Sequence, residues 1–163
     1  MVRALARGGI STSHCDDQAA PLLVVQNVTL AGGDATGETF DGGGGGAIFT
    51  RGGRLSIVHS RFIGNRCDAT GPDPGGGAIR ALSQYHGRPV TITRSTFTRG
   101  VCSNGAALSS IGVSWSISDS TFTRNRAIGR GANSADPARR AEAQAARCTS
   151  TATPSACGSR ARR

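Results

Sequence analysis

Four stretches of the chain alternate apolar and polar residues with a period of two. They are LVVQNVTL (Leu23 to Leu30), LSIVHSRF (Leu55 to Phe62), VTITRSTF (Val90 to Phe97) and WSISDSTF (Trp115 to Phe122). Set one above another, they share columns. Leu23, Leu55, Val90 and Trp115 form the first, and Val25, Ile57, Ile92 and Ile117 the second. Ser60, Ser95 and Ser120 form a third, with Val28 in the first copy, and Leu30, Phe62, Phe97 and Phe122 close the phrase. The first two columns stand two residues apart, which is strand periodicity, and β-branched residues fill the second.

A second phrase lies between these strands. GGAI occupies Gly45 to Ile48 and again Gly76 to Ile79, and GAAL occupies Gly105 to Leu108. The repeat advances 31 residues from Ala47 to Ala78 and 29 from Ala78 to Ala107. A period near 30 with variable inserts and no sustained helical periodicity implies a coil of strands, one repeat per turn. The expected fold is an all-β, right-handed, single-stranded parallel β-helix of three to four turns, since parallel crossovers are overwhelmingly right-handed. Phe62, Phe97 and Phe122 then stack inside, each burial contributing about 1.5–3 kcal/mol. Glycines mark the corners, where positive φ is needed. Asn65 and Asn125 are expected at bends, where an amide bonds neighbouring backbone.

The alternating GGA[IL] and FxxN phrases resemble the repeats of polymorphic outer-membrane proteins and related bacterial right-handed β-helix proteins. The matching phrases are GGAI at Gly45 and Gly76, FIGN at Phe62 and FTRN at Phe122; FTRG at Phe97 departs, with Gly100 where Asn is expected. The resemblance covers residues 21–133. It implies a secreted or cell-surface protein of structural or adhesive role, displaying loops to carbohydrate or cell-surface components. The alternative it implies is part of a carbohydrate-active enzyme, a polysaccharide lyase or glycoside hydrolase. Uncapped ends of such a coil would favour self-association.

In the coil, Cys67 and Cys102 each lie five residues after a stacked Phe. They therefore occupy one ladder position on adjacent turns, within reach of a disulfide. That pairing points to an oxidising compartment. Cys15, Cys148 and Cys157 share no such register.

Composition limits what else the chain can do. Of 163 residues, 37% are hydrophobic and 24 are glycine, so a thick globular core is excluded. The formal charge is +9, and all 19 basic residues are Arg. Residues 1–20 read as an irregular neutral segment. Residues 134–163, with six Arg and two acids, read as a disordered tail. No aromatic residue interleaves with its arginines, so no specific nucleic-acid partner is expected. No stretch reaches 18 apolar residues, so no transmembrane segment is expected, and no run of signal-peptide length opens the chain. The chain reads as part of a longer protein.

Candidate chemistry is sparse. Arg80, Gln84, Tyr85, His86 and Arg88 form the richest polar cluster, a candidate glycan site through Tyr85 stacking and Arg hydrogen bonds; the simpler reading is a lengthened turn. Asp68 and Asp73 share a loop, and Asp34, Glu38 and Asp41 share another. They are candidate ligands for Ca²⁺, which takes six to eight oxygens, although Asp and Gly are also ordinary loop residues. No cofactor is otherwise expected. Asp119 is the one acid within the aligned strands and has no strand-borne partner, which disfavours a two-carboxylate hydrolase. GETFDGGGGG lacks the Lys of a phosphate loop. No catalytic residue is assigned.

Overall fold

Each repeat becomes one turn of four short strands. The computed structural model describes residues 2–4, 10–13, 22–83, 86 and 88–129, the first two segments as backbone. The first turn holds β2 (Ile10–Ser13), β3 (Leu22–Gln26), β4 (Thr29–Ala31) and β5 (Asp34–Ala35), preceded by β1 (Val2–Ala4). The second holds β6 (Ile48–Arg51), β7 (Arg54–Val58), β8 (Arg61–Ile63) and β9 (Arg66–Cys67). The third holds β10 (Ile79–Leu82), β11 (Val90–Thr93), β12 (Thr96–Thr98) and β13 (Val101–Cys102). The fourth holds β14 (Leu108–Ile111), β15 (Trp115–Ser118), β16 (Thr121–Thr123) and β17 (Arg126–Ala127).

Equivalent strands stack into four parallel sheets: β2-β6-β10-β14, β3-β7-β11-β15, β4-β8-β12-β16 and β5-β9-β13-β17. The chain is a parallel β-helix. The expected columns lie in register: Ile57, Ile92 and Ile117 pair in file, as do Phe62, Phe97 and Phe122. Residues 1–20, expected to be irregular, instead supply two strands. Strand β2 extends the first sheet in parallel, and β1 pairs with β2 antiparallel at its edge. The expected tail, 134–163, lies outside the described residues.

The interior follows from the alternation. Ile48, Ile57, Ile79, Ile92 and Phe97 are fully buried, and Phe62 and Leu55 nearly so. Phe97 stacks between Phe62 and Phe122, with ring centroids 4.5 and 4.7 Å apart and planes within 5° of parallel. At the corner that precedes the first sheet, Gly45, Gly76 and Gly105 all hold positive φ. A Cβ at Gly45 or Gly76 would meet the carbonyl of Ile48 or Ile79, so this corner admits only glycine. Gly46 and Gly77 follow inside it, with no room for a side chain against the neighbouring turns.

Serine and asparagine side chains in the wall bond from turn to turn. The Ser60 amide donates to Ser95 Oγ (3.1 Å) and the Ser95 amide to Ser120 Oγ (3.0 Å). Asn65 Oδ1 accepts from the Gly33 amide at 2.9 Å, and its Nδ2 donates to the Leu30 carbonyl at 3.0 Å. Asn125 does the same one pair of turns on, toward the Gly100 amide (2.8 Å) and the Phe97 carbonyl (3.0 Å). The apparent break in FxxN at Gly100 is thereby explained. Asn and Gly alternate because each Asn clamps the turn before it, and a Cβ at Gly33 or Gly100 would crowd the Asn oxygen and a neighbouring carbonyl.

Cys67 and Cys102 form a disulfide, with Cα atoms 4.8 Å apart. Both are buried in a ladder that Ala35 and Ala127 continue on either side, so only small side chains fill this edge.

Candidate functional site

Of the polar cluster expected around residue 80, the structure describes Arg80, His86 and Arg88. Arg80 is on β10 with 3% of its surface exposed. Its Nη1 donates to the Asp73 carbonyl (2.7 Å) and Nη2 to the Asp41 carbonyl (3.0 Å). Burial pushes its guanidinium below its usual value, an effect opposed by the charges of Asp73 and Asp41. Arg80 is a tie between two inserted loops rather than a solvent-facing ligand group. His86 and Arg88 are exposed on the segment after β10, and Gln84 and Tyr85 lie outside the described residues.

Two of the candidate acids pair with arginine. Asp34 pairs with Arg66 at 2.7 Å, and Asp41 pairs with Arg51. Hydrogen bonds from Arg66 and then Thr36 hold the Asp34 carboxyl well below the usual carboxylate range. Asp68 Oδ2 accepts from the Gly37 amide at 3.0 Å, and Asp73 stands at the loop surface beside Gly42. Among the described residues no three His, Cys, Asp or Glu side chains converge, so Asp68 and Asp73 are not brought together with a third acid.

What the coil does assemble is a charged face that the sequence columns did not single out. Third-sheet strands β4, β8, β12 and β16 turn Leu30 and the three Phe inward and their flanking residues outward, as alternation requires. The outward residues are mainly threonines: Thr29, Thr96 and Thr121 in one file with Arg61, and Thr98 and Thr123 in another. Thr123 Oγ1 lies 3.3 Å from Thr98 Oγ1.

A bend flanks this sheet on each side. The first stacks Asn27, His59, Arg94 and Asp119, all at positive φ between 46° and 55°. His59 Nδ1 lies 2.9 Å from Asn27 Oδ1. The second stacks Gly32, Gly64, Arg99 and Arg124, again all at positive φ. Beyond it, β17 adds Arg126, which is exposed. A shallow depression of about 430 Å³ runs between the first bend and the sheet, lined by Asn27, Thr29, His59, Arg61, Arg94 and Thr96.

The acids are localised around the coil. Of the acids among the described residues, Glu38, Asp41, Asp68 and Asp73 lie in the loops that lead into the first sheet. The third sheet and its bends carry Arg61, Arg94, Arg99 and Arg124 against Asp119 alone. The signal was present in the sequence as the variable positions of FTRG and FTRN and the Arg of ITRS. Only the winding shows that these arginines share one face. Comparison with protein-family models, with curated proteins and with solved structures finds no match.

Proposed function

We propose that the chain is a non-catalytic β-helical scaffold of a secreted or cell-surface protein, with repeats of the polymorphic outer-membrane type, that presents its outer wall to carbohydrate. The observation that carries this reading is the outward file of hydroxyl and guanidinium groups over a wall with no slack. Thr96, Thr98, Thr121 and Thr123 are held at strand spacing by the Phe stack beneath them. A rigid polar array of this kind binds a polymer with little ordering cost on the protein side. The buried Cys67–Cys102 bridge supports placement in an oxidising compartment.

The test is incubation of the protein with immobilised neutral and acidic polysaccharides. Retention of at least one class, without release of soluble sugar, is the expected result. Release of oligosaccharides would make the protein an enzyme and overturn the scaffold reading.

A further inference from the structure

We infer that the third sheet and its two bends form a binding strip for a linear acidic polysaccharide, a polymer of uronate or sulfated sugars. The inference rests on the scaffold reading and names the class of glycan and the face that holds it.

The first support is backbone cost. In the second bend, the first two turns place Gly32 and Gly64 at φ 66° and 61°, the residue that adopts this geometry freely. The next two turns place Arg99 and Arg124 there, at φ 57° and 56°. A non-glycine residue in this region costs on the order of 1 kcal/mol or more, and such strain persists where it serves a site. The first bend also holds non-glycine residues at positive φ, Asn27, His59, Arg94 and Asp119 at 55°, 46°, 48° and 50°. Arg94, Arg99 and Arg124 are all exposed, so packing against the core does not select arginine at these positions.

The second support is spacing. Arg99 and Arg124 follow the paired Thr98 and Thr123, so they repeat along the coil at the inter-strand distance of about 4.8 Å. Arg94 and Arg99 bracket one turn of the sheet, roughly 15 Å apart along the strand direction. Threonine hydroxyls fill the interval. Guanidinium groups bind carboxylate and sulfate oxygens in a fork, and hydroxyls bind sugar hydroxyls between them. The alternation of anion and hydroxyl along an acidic glycan matches this alternation of Arg and Thr.

The third support is what the face does not offer other polyanions. The aromatic rings of this sheet point inward and stack on one another, leaving none for base stacking. Among the described residues there is no α-helix to enter a groove.

The experiment compares Arg99→Asn/Arg124→Asn with Arg51→Asn/Arg88→Asn, two variants with the same change in net charge. Asn tolerates positive φ, and circular dichroism checks that each variant folds. The probes are polygalacturonate, chondroitin sulfate, neutral dextran and duplex DNA. The expected result is that one or both acidic glycans bind, dextran does not, and Arg99→Asn/Arg124→Asn weakens binding at least tenfold while the control pair changes it less than threefold. Polygalacturonate and chondroitin sulfate separate carboxylate from sulfate as the anion read. Equal weakening by both pairs, or tighter binding of DNA than of either glycan, overturns the strip. If acidic glycan binds and the Arg99/Arg124 pair is indifferent, the strip is wrong and the scaffold reading stands. If no glycan binds the parent protein, both fall.

Discussion

Replacing Phe97 by alanine removes the middle ring of a three-ring stack. The side chain is fully buried and touches a parallel ring on each side, at 4.5 and 4.7 Å. Core Phe→Ala changes cost about 3–5 kcal/mol, and each ring pair adds about 0.5–1.5 kcal/mol beyond its burial. The turns above and below are tied by hydrogen bonds on every sheet, so the wall cannot collapse into the cavity. The loss should fall at the upper end of that range. Phe122 is only partly buried and has one stacked neighbour, so Phe122→Ala should cost about 1.5–3 kcal/mol. Urea unfolding followed by far-ultraviolet circular dichroism reads both, with the midpoint falling and the slope unchanged. A Phe97→Ala cost no larger than that of Phe122→Ala would refute the reasoning, because it would mean that the rings do not form a continuous internal file.

Three further outcomes follow from other ladders. Cys67→Ala/Cys102→Ala places alanine where Ala35 and Ala127 already continue the ladder, so the loss should be that of the cross-link over 35 residues, about 3–4 kcal/mol in the chain-entropy model; a change below about 1 kcal/mol in chemical denaturation would contradict it. Asn65→Ala strands the buried Gly33 amide and the Leu30 carbonyl, at about 1–3 kcal/mol for each group left unpaired, and should destabilise more than Asn27→Ala at the exposed bend. Asp34 has a depressed folded-state value, so its contribution is complete above the unfolded carboxylate value of about 3.9 and is lost as pH falls through the lower folded value. The stability difference between the parent and Asp34→Asn should therefore shrink below about pH 4, and a difference that grew with acid would have the wrong sign.

The repeat was legible because its residues must satisfy two constraints at once. Ile57, Ile92 and Ile117 alternate along a strand and recur once per turn, and glycine fixes the corner that begins each repeat. The cystine was legible for the same reason, since Cys67 and Cys102 keep a constant offset from the Phe column. The two-residue strands β5, β9, β13 and β17 are too short to show any period. The role of Gly100 stayed hidden because its partner is Asn125, 25 residues away, and neither residue alone marks a clamp. Arg80 sits in a polar-looking segment, yet its burial depends on loops arriving from Asp41 and Asp73. The arginines of ITRS, FTRG and FTRN were legible one by one, but not their shared face, because facing direction at a bend is set by the backbone's positive φ, which a sequence permits for arginine but does not announce.

The register of the coil is tested most directly by paired cysteines on its exposed wall. Thr96 and Thr121 stand opposite one another on β12 and β16, whereas Thr96 and Thr123 are two residues out of register. The first pair sits at inter-strand distance, about 4.8 Å, and the second at about 8 Å, beyond disulfide reach. Under mild oxidation, peptide mapping of Thr96→Cys/Thr121→Cys should show the cross-link in most molecules, and Thr96→Cys/Thr123→Cys should show little. Equal cross-linking of the two pairs, or none in the first, would contradict a β-helix in which each turn lies directly on the last.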